Sequence, residues 1–127
     1  MAPLARHDVV ALNRVLCCYP RVDELLDGEI ATCDPIRMEV LAGARDESHL
    51  NDLRRLLARA SVIDLMSGDY DDAAAIYRTC RRRGETVRKL IDCLIAAIAI
   101  RAGIPVLQAD SDFVVLARHT PLQLAEV

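Results

Sequence analysis

A chain of 127 residues with a formal net charge of -3 and 53% hydrophobic residues has the length and apolar content of one globular domain, 1–127. The acidic balance excludes a protein that coats nucleic acid by bulk charge, and one Phe, three Tyr and no Trp exclude a set of aromatic platforms for stacked bases. Five cysteines without a C-x-x-C pair indicate neither a disulfide framework nor a zinc knuckle, so reduced and mostly buried thiols are expected.

No stretch reaches the ~20 apolar residues needed to span a bilayer. The opening "MAPLARHDVVALNRVLCC" carries charges where a signal peptide requires an apolar run, and a cytoplasmic location without membrane attachment follows.

In chain order, "VVALNRVLCCY" fits a short helix or a strand equally well, and "RVDELLDGE" reads as a helix closed by Gly28. "IATC" is a short strand. Asp34 and Pro35 then stand in N-cap and first-turn positions of a helix that runs to about Gly43. "DESHLNDLRRLLARA" places Leu50, Leu53, Leu56 and Leu57 at helical spacing, and "SVIDL" reads as the next strand. "SGDYDDAAAIYRTCRRRG" is an amphipathic helix with acids in its first turn and arginines in its last, as the helix dipole favours. "KLIDCLIAAIAIRAG" is a helix apolar almost all round that stops at Gly103. "IPVLQ" is a strand, "DSDFVVLARHT" a short helix and "LQLAE" a last strand. Strands alternating with helices predict an α/β sandwich around a mostly parallel sheet, in which ligands gather at the carboxyl ends of the strands.

Several acids stand in apolar surroundings. Asp92 lies among Leu90, Ile91, Leu94, Ile95 and Ile98, and a buried carboxylate needs a partner or a metal; a place in the first turn of its helix, or a pair with Arg88 or Lys89, would also account for it. Glu39 sits near the apolar face of its helix, where a solvated edge position is the plainer reading. Asp110 and Asp112 follow a strand; one of them suffices as the N-cap of "FVVLARH", and the second is left over. Carboxylates converging from these elements would repel unless a divalent cation lay among them. Mg²⁺ or Mn²⁺ suits such an all-oxygen site and points to phosphodiester hydrolysis.

The segments "MEVLAGARD" and "YRTCRRRGETVRKLIDCLIAAIAIRAGIPVLQADSDF", with the spacing between them, resemble a PIN-domain ribonuclease of the VapC toxin type. The resemblance covers nearly everything after about residue 30 and implies a PIN-like three-layer α/β/α sandwich. It implies a metal-dependent endoribonuclease, acting on RNA such as tRNA or ribosomal RNA, held in check by a VapB-like antitoxin, and a homodimer. An apolar surplus on "DESHLNDLRRLLARA" is consistent with the homodimer. By this match Glu39, Asp92 and Asp110 would be metal-site carboxylates, Asp112 a further acid orienting water or binding the outer shell, and Thr86 a hydrogen-bonding residue near the site. Within the basic cluster Arg78, Arg81, Arg82, Arg83, Arg88 and Lys89, Arg88 is assigned the RNA contact, whereas Arg81 to Arg83 fill the last turn of a helix.

Residues 1–28 depart from the pattern. The family ordinarily opens with an apolar strand ending in Asp followed by Thr or Ser, which supplies the first metal carboxylate. If "VVAL" is the strand, Asp8 stands at its wrong end; if "VLCCY" is the strand, the next acid, Asp23, lies inside a helix. A shifted reading frame before about residue 22 would explain the departure. The alternative is a catalytically impaired member that retains antitoxin binding.

Overall fold

The computed structural model describes residues 10–12, 30–107 and 111–125, the first three as backbone alone. The strands β1 (Val10–Leu12), β2 (Ile30–Thr32), β3 (Ser61–Val62) and β4 (Val106–Leu107) form one sheet in the order β3-β2-β1-β4. All its ladders are parallel: Ala11 lies between Ala31 and Val106, and Thr32 stands opposite Val62. Five helices accompany it among the described residues: α1 (Asp34–Ala42), α2 (Glu47–Ala58), α3 (Ser67–Arg82), α4 (Leu90–Ala102) and α5 (Ser111–His119). The expected α/β class with a parallel sheet is therefore the observed one.

The ambiguous opening segment contains a strand, in an interior position of the sheet. Asp8 precedes that strand in the chain. Both Asp8 and Asp23, and the helix expected over "RVDELLDGE", lie outside the described residues.

The helix boundaries follow local chemistry. Asp46 caps α2 by accepting the His49 backbone N–H at 2.8 Å. Gly84 and Gly103 adopt φ of 82° and 68°, left-handed values that suit glycine, and they close α3 and α4. After each, the chain turns back: Glu85 N–H bonds Cys80 O and Ile104 N–H bonds Ala99 O, both at 3.0 Å.

Some boundaries differ from the sequence reading. The N-cap of α1 is Cys33, and Asp34 sits inside the first turn. β3 and β4 are shorter than "SVIDL" and "IPVLQ", and "LQLAE" contributes a single bridge, Leu124 to Val106. On α2, Leu53 and Leu57 are buried and Leu56 packs partly against the core, so the apolar surplus expected to face a second subunit is spent inside the domain.

The core gathers Ile36, Ile95, Ile98, Leu107, Phe113 and Leu116 between the sheet and the helices. Within α4, Ile95 to Ala99 are all buried, as an all-round apolar helix requires. Cys33, Cys80 and Cys93 are free and buried. Burial pushes the Cys33 thiol up to about 11 and the Cys93 thiol up to about 12, so both stay protonated and inert at neutral pH.

The carboxyl end of α4 is fixed by an ion pair that the sequence did not announce. Asp69, 1% exposed in its side chain, accepts Arg101 Nε at 2.8 Å and Nη2 at 2.9 Å, and also takes the Met66 N–H at 2.8 Å. Arg101 further donates to Asp64 O at 2.7 Å, joining α4 to the approach to α3. The Arg101 guanidinium is the main reason that the Asp69 carboxyl titrates below its ordinary 3.8.

Asp69→Asn is expected to cost roughly 2 kcal/mol in urea unfolding at neutral pH, below the ~3–5 kcal/mol of a wholly buried pair because Arg101 retains water contact. Since the folded pKa is the lower one, the wild type loses this contribution as pH falls through and below the ordinary aspartate value. The gap between wild type and variant should therefore narrow in acid; a gap constant from pH 7 to pH 3 would refute the assignment.

Candidate functional site

The amino end of α4 and the start of α5 bring two buried acids together. Asp92 stands in the first turn of α4 and Asp112 in the first turn of α5, each 2% exposed. Asp112 is the better defined. Its Oδ1 accepts the Arg88 backbone N–H at 3.2 Å and Arg88 Nε at 3.3 Å, and its Oδ2 accepts the Lys89 N–H at 3.1 Å. Burial drives the Asp112 carboxyl upward, but the Arg88 N–H, a hydrogen bond shared with the Asp92 side chain, the Arg88 guanidinium and the Lys89 N–H together hold it below the ordinary 3.8.

These bonds correct the notion that Asp112 acts as a cap on its own helix. The amides it satisfies belong to the residues that enter α4. At the other end of the same segment, Glu85 accepts His119 Nε2 at 2.8 Å and pairs with Arg118, both in the last turn of α5. Val87, between the two ties, is buried in the core. Residues 85–89 are thus pinned along the length of α5, and the start of α4 is set by that contact.

Glu39 approaches from α1, which packs on α4. It is half-buried. The atoms Glu39 Oε1 and Asp92 Oδ2 are enclosed and take no hydrogen bond from the described residues, although both side chains interact elsewhere. Asp110 lies outside the described residues. Among the described residues no group of three or more His, Cys, Asp or Glu could by itself hold a metal ion. The structure therefore joins Asp92 with Asp112, brings the helix bearing Glu39 against that of Asp92, and leaves Asp110 to be placed by other means.

Arg88 and Thr86 are exposed. The Arg88 side chain is 65% accessible and also donates to Ser111 Oγ at 3.3 Å, so its guanidinium sits at the rim of the acidic pair. Arg81 lies 5.6 Å from the Tyr77 ring centroid, away from these contacts on its own helix. His119 serves the Glu85 tie and His49 accepts the Arg45 N–H at 3.1 Å, in keeping with the absence of a catalytic role for either.

Comparison with known proteins fits this arrangement. The PIN domain family model matches residues 19–119. Ribonuclease VapC11 of Mycobacterium tuberculosis and VapC ribonuclease Mb1587 of Mycobacterium bovis are each 50% identical to the chain over 99 residues, covering 76% of it and 72% of the relative. Among solved structures, VapBC2 of Rickettsia felis bound to a promoter DNA fragment superposes with a TM-score of 0.72 at 18% identity, covering 91% of this chain and 96% of that one. VapBC-5 of Mycobacterium tuberculosis gives 0.70 at 20% identity, covering 94% and 99%. A parallel α/β domain with buried acids at the mouth of an apolar helix is a PIN-type nuclease fold. The chain belongs to the PIN-domain family, within its VapC ribonucleases.

Nucleases of this family depend in general on a divalent metal. The oxygen donors of Asp92 and Glu39 have the hardness such a cation requires, and the residues present fit it.

The two neighbouring aspartates should respond oppositely in metal-free protein. Asp112→Ala removes a buried acceptor of two backbone amides and is expected to cost about 2–3 kcal/mol. Asp92→Asn leaves an amide that can donate to Asp112 without needing a proton, so stability should hold or rise. Thermal unfolding in chelator reads both, and a large loss in Asp92→Asn with none in Asp112→Ala would reverse the assignment.

Proposed function

We propose that this chain is the toxic component of a toxin–antitoxin pair, an endoribonuclease of the cytoplasm that hydrolyses RNA phosphodiester bonds, with tRNA or ribosomal RNA as its substrate class. Asp92 carries the reading: a buried acid in the most apolar helix, in contact with a second buried acid. Glu39, Asp92 and Asp110 would hold Mg²⁺ or Mn²⁺, with Asp112 behind them. When bound, such an ion activates water and stabilises charge developing at phosphorus.

The remaining roles fall to the protein's own groups. Asp112 keeps Arg88 at the rim, where its planar fork can take two phosphate oxygens, and the Thr86 hydroxyl is exposed beside it to hydrogen-bond the RNA backbone. A VapB-like antitoxin as partner is supported by the fold shared with the VapBC complexes, and a homodimer completes the reading.

A second reading is favoured by one specific observation. β1 ends at Leu12, and the next residue in the chain is Asn13, where the family pattern has its first aspartate. An amide binds a divalent cation more weakly than a carboxylate. On this reading the protein binds antitoxin but cleaves poorly.

Cleavage of a tRNA and ribosomal RNA mixture with Mg²⁺ or Mn²⁺ separates the two. Wild type should cut, chelator should abolish cutting, and Asp92→Asn or Asp110→Asn should lower the rate at least about 100-fold. A wild type no faster than the double variant defeats the nuclease reading; a gain of activity in Asn13→Asp supports the impaired one.

A further inference from the structure

Outside the acidic site, α3 and the first turns of α4 enclose a groove of about 260 Å³ lined by Tyr70, Ala73, Ala74, Leu90, Ile91 and Leu94. Its rim is unusually apolar for surface: Tyr70 is 55% and Leu90 60% exposed. Covering such side chains removes apolar area from water at about 25 cal/mol per Å². The groove therefore favours an occupant, and the charges beside it specify which one.

Asp71 and Arg78 are exposed on the outer side of α3 and are separated by two helical turns, so they share a face. Midway between them stand Ala74 and Ala75, also exposed and small enough to let a second helix approach closely. A two-fold axis through that midpoint places a second α3 antiparallel to the first. Asp71 then meets the partner's Arg78, Arg78 meets the partner's Asp71, and the helix dipoles oppose favourably. The face carries both signs in the order that its own copy complements.

We infer that the α3–α4 groove and the Asp71–Arg78 face form a self-complementary interface that seats a second copy of this chain. The inference rests on the homodimer of the proposed function for its occupant, and on the groove and charge order for its location. It moves the interface from α2, whose leucines serve the core, to α3.

Sedimentation velocity on the full chain tests it, with circular dichroism to show that each variant is folded. Asp71→Arg and Arg78→Asp should each weaken the dimer at least roughly tenfold, and the double reversal should restore it, because opposite charges again face each other. Ala74→Arg, at an exposed helical position, should give monomer. A wild type monomeric at about 100 µM, far above the Kd of a standard-size interface, would overturn both the homodimer and this surface. A dimer indifferent to all four variants would overturn the surface alone. Monomeric wild type that loses binding to a VapB-like antitoxin in Ala74→Arg would assign the groove to the antitoxin and likewise overturn the inference.

Discussion

The Asp112 carboxylate is the constraint around which the site is arranged. Its two oxygens take the N–H groups of Arg88 and Lys89, the residues through which the chain enters α4. Amides just ahead of a helix have no partners within it, and an ionised acceptor binds them more strongly than a neutral one. By occupying them from another helix, Asp112 fixes where α4 begins. Asp92, in that first turn, then has its direction set before any ligand arrives. The Glu85 tie to Arg118 and His119 completes the arrangement, since α5 is gripped at both ends by one five-residue segment, 85–89.

The far end of α4 is held by the same kind of contact in a different form. Asp69 meets a guanidinium with both oxygens, whereas Asp112 meets mainly main-chain amides. Between these anchors the helix is packed on all sides, with Ile95 to Ala99 buried. An apolar helix alone can slide or rotate at little cost, because one aliphatic contact resembles another. Charged contacts at its two ends remove that freedom. The position of Asp92 is thus determined by polar anchors, while the apolar middle supplies the burial that makes its carboxyl unusual.

How much of this was legible follows from the range of each interaction. Helix ends were readable because their causes are local: an Asp three residues before the amide it caps, a glycine at the left-handed turn. The awkwardness of Asp92 was also local, since its apolar neighbours are adjacent in sequence. Asp112 was half-readable. An acid after a strand is a reasonable cap for the helix it begins, but the amides it serves are 24 and 23 positions away. Asp69 looked like an ordinary first-turn acid because Arg101 is 32 positions distant. The leucines of α2 were seen correctly as a stripe, yet a stripe does not say whether it faces the core or a second subunit.

The double attachment of Arg88 has a consequence for how a nuclease rim can operate. Its backbone N–H and its guanidinium both contact Asp112, but only the backbone bond is enclosed; the side chain is 65% accessible. An exposed ion pair is worth at most about 1 kcal/mol, so an incoming phosphate can compete for the guanidinium without a large penalty. The amide bonds persist during that exchange. The entry to α4 then stays in place while the arginine turns outward, and Asp92 is not disturbed by the arrival of RNA. A lysine at this position would carry the same charge but could neither fork onto a phosphate nor keep the directional bond from Nε, which is the physical reason for arginine at 88 in a chain whose single lysine follows it at 89.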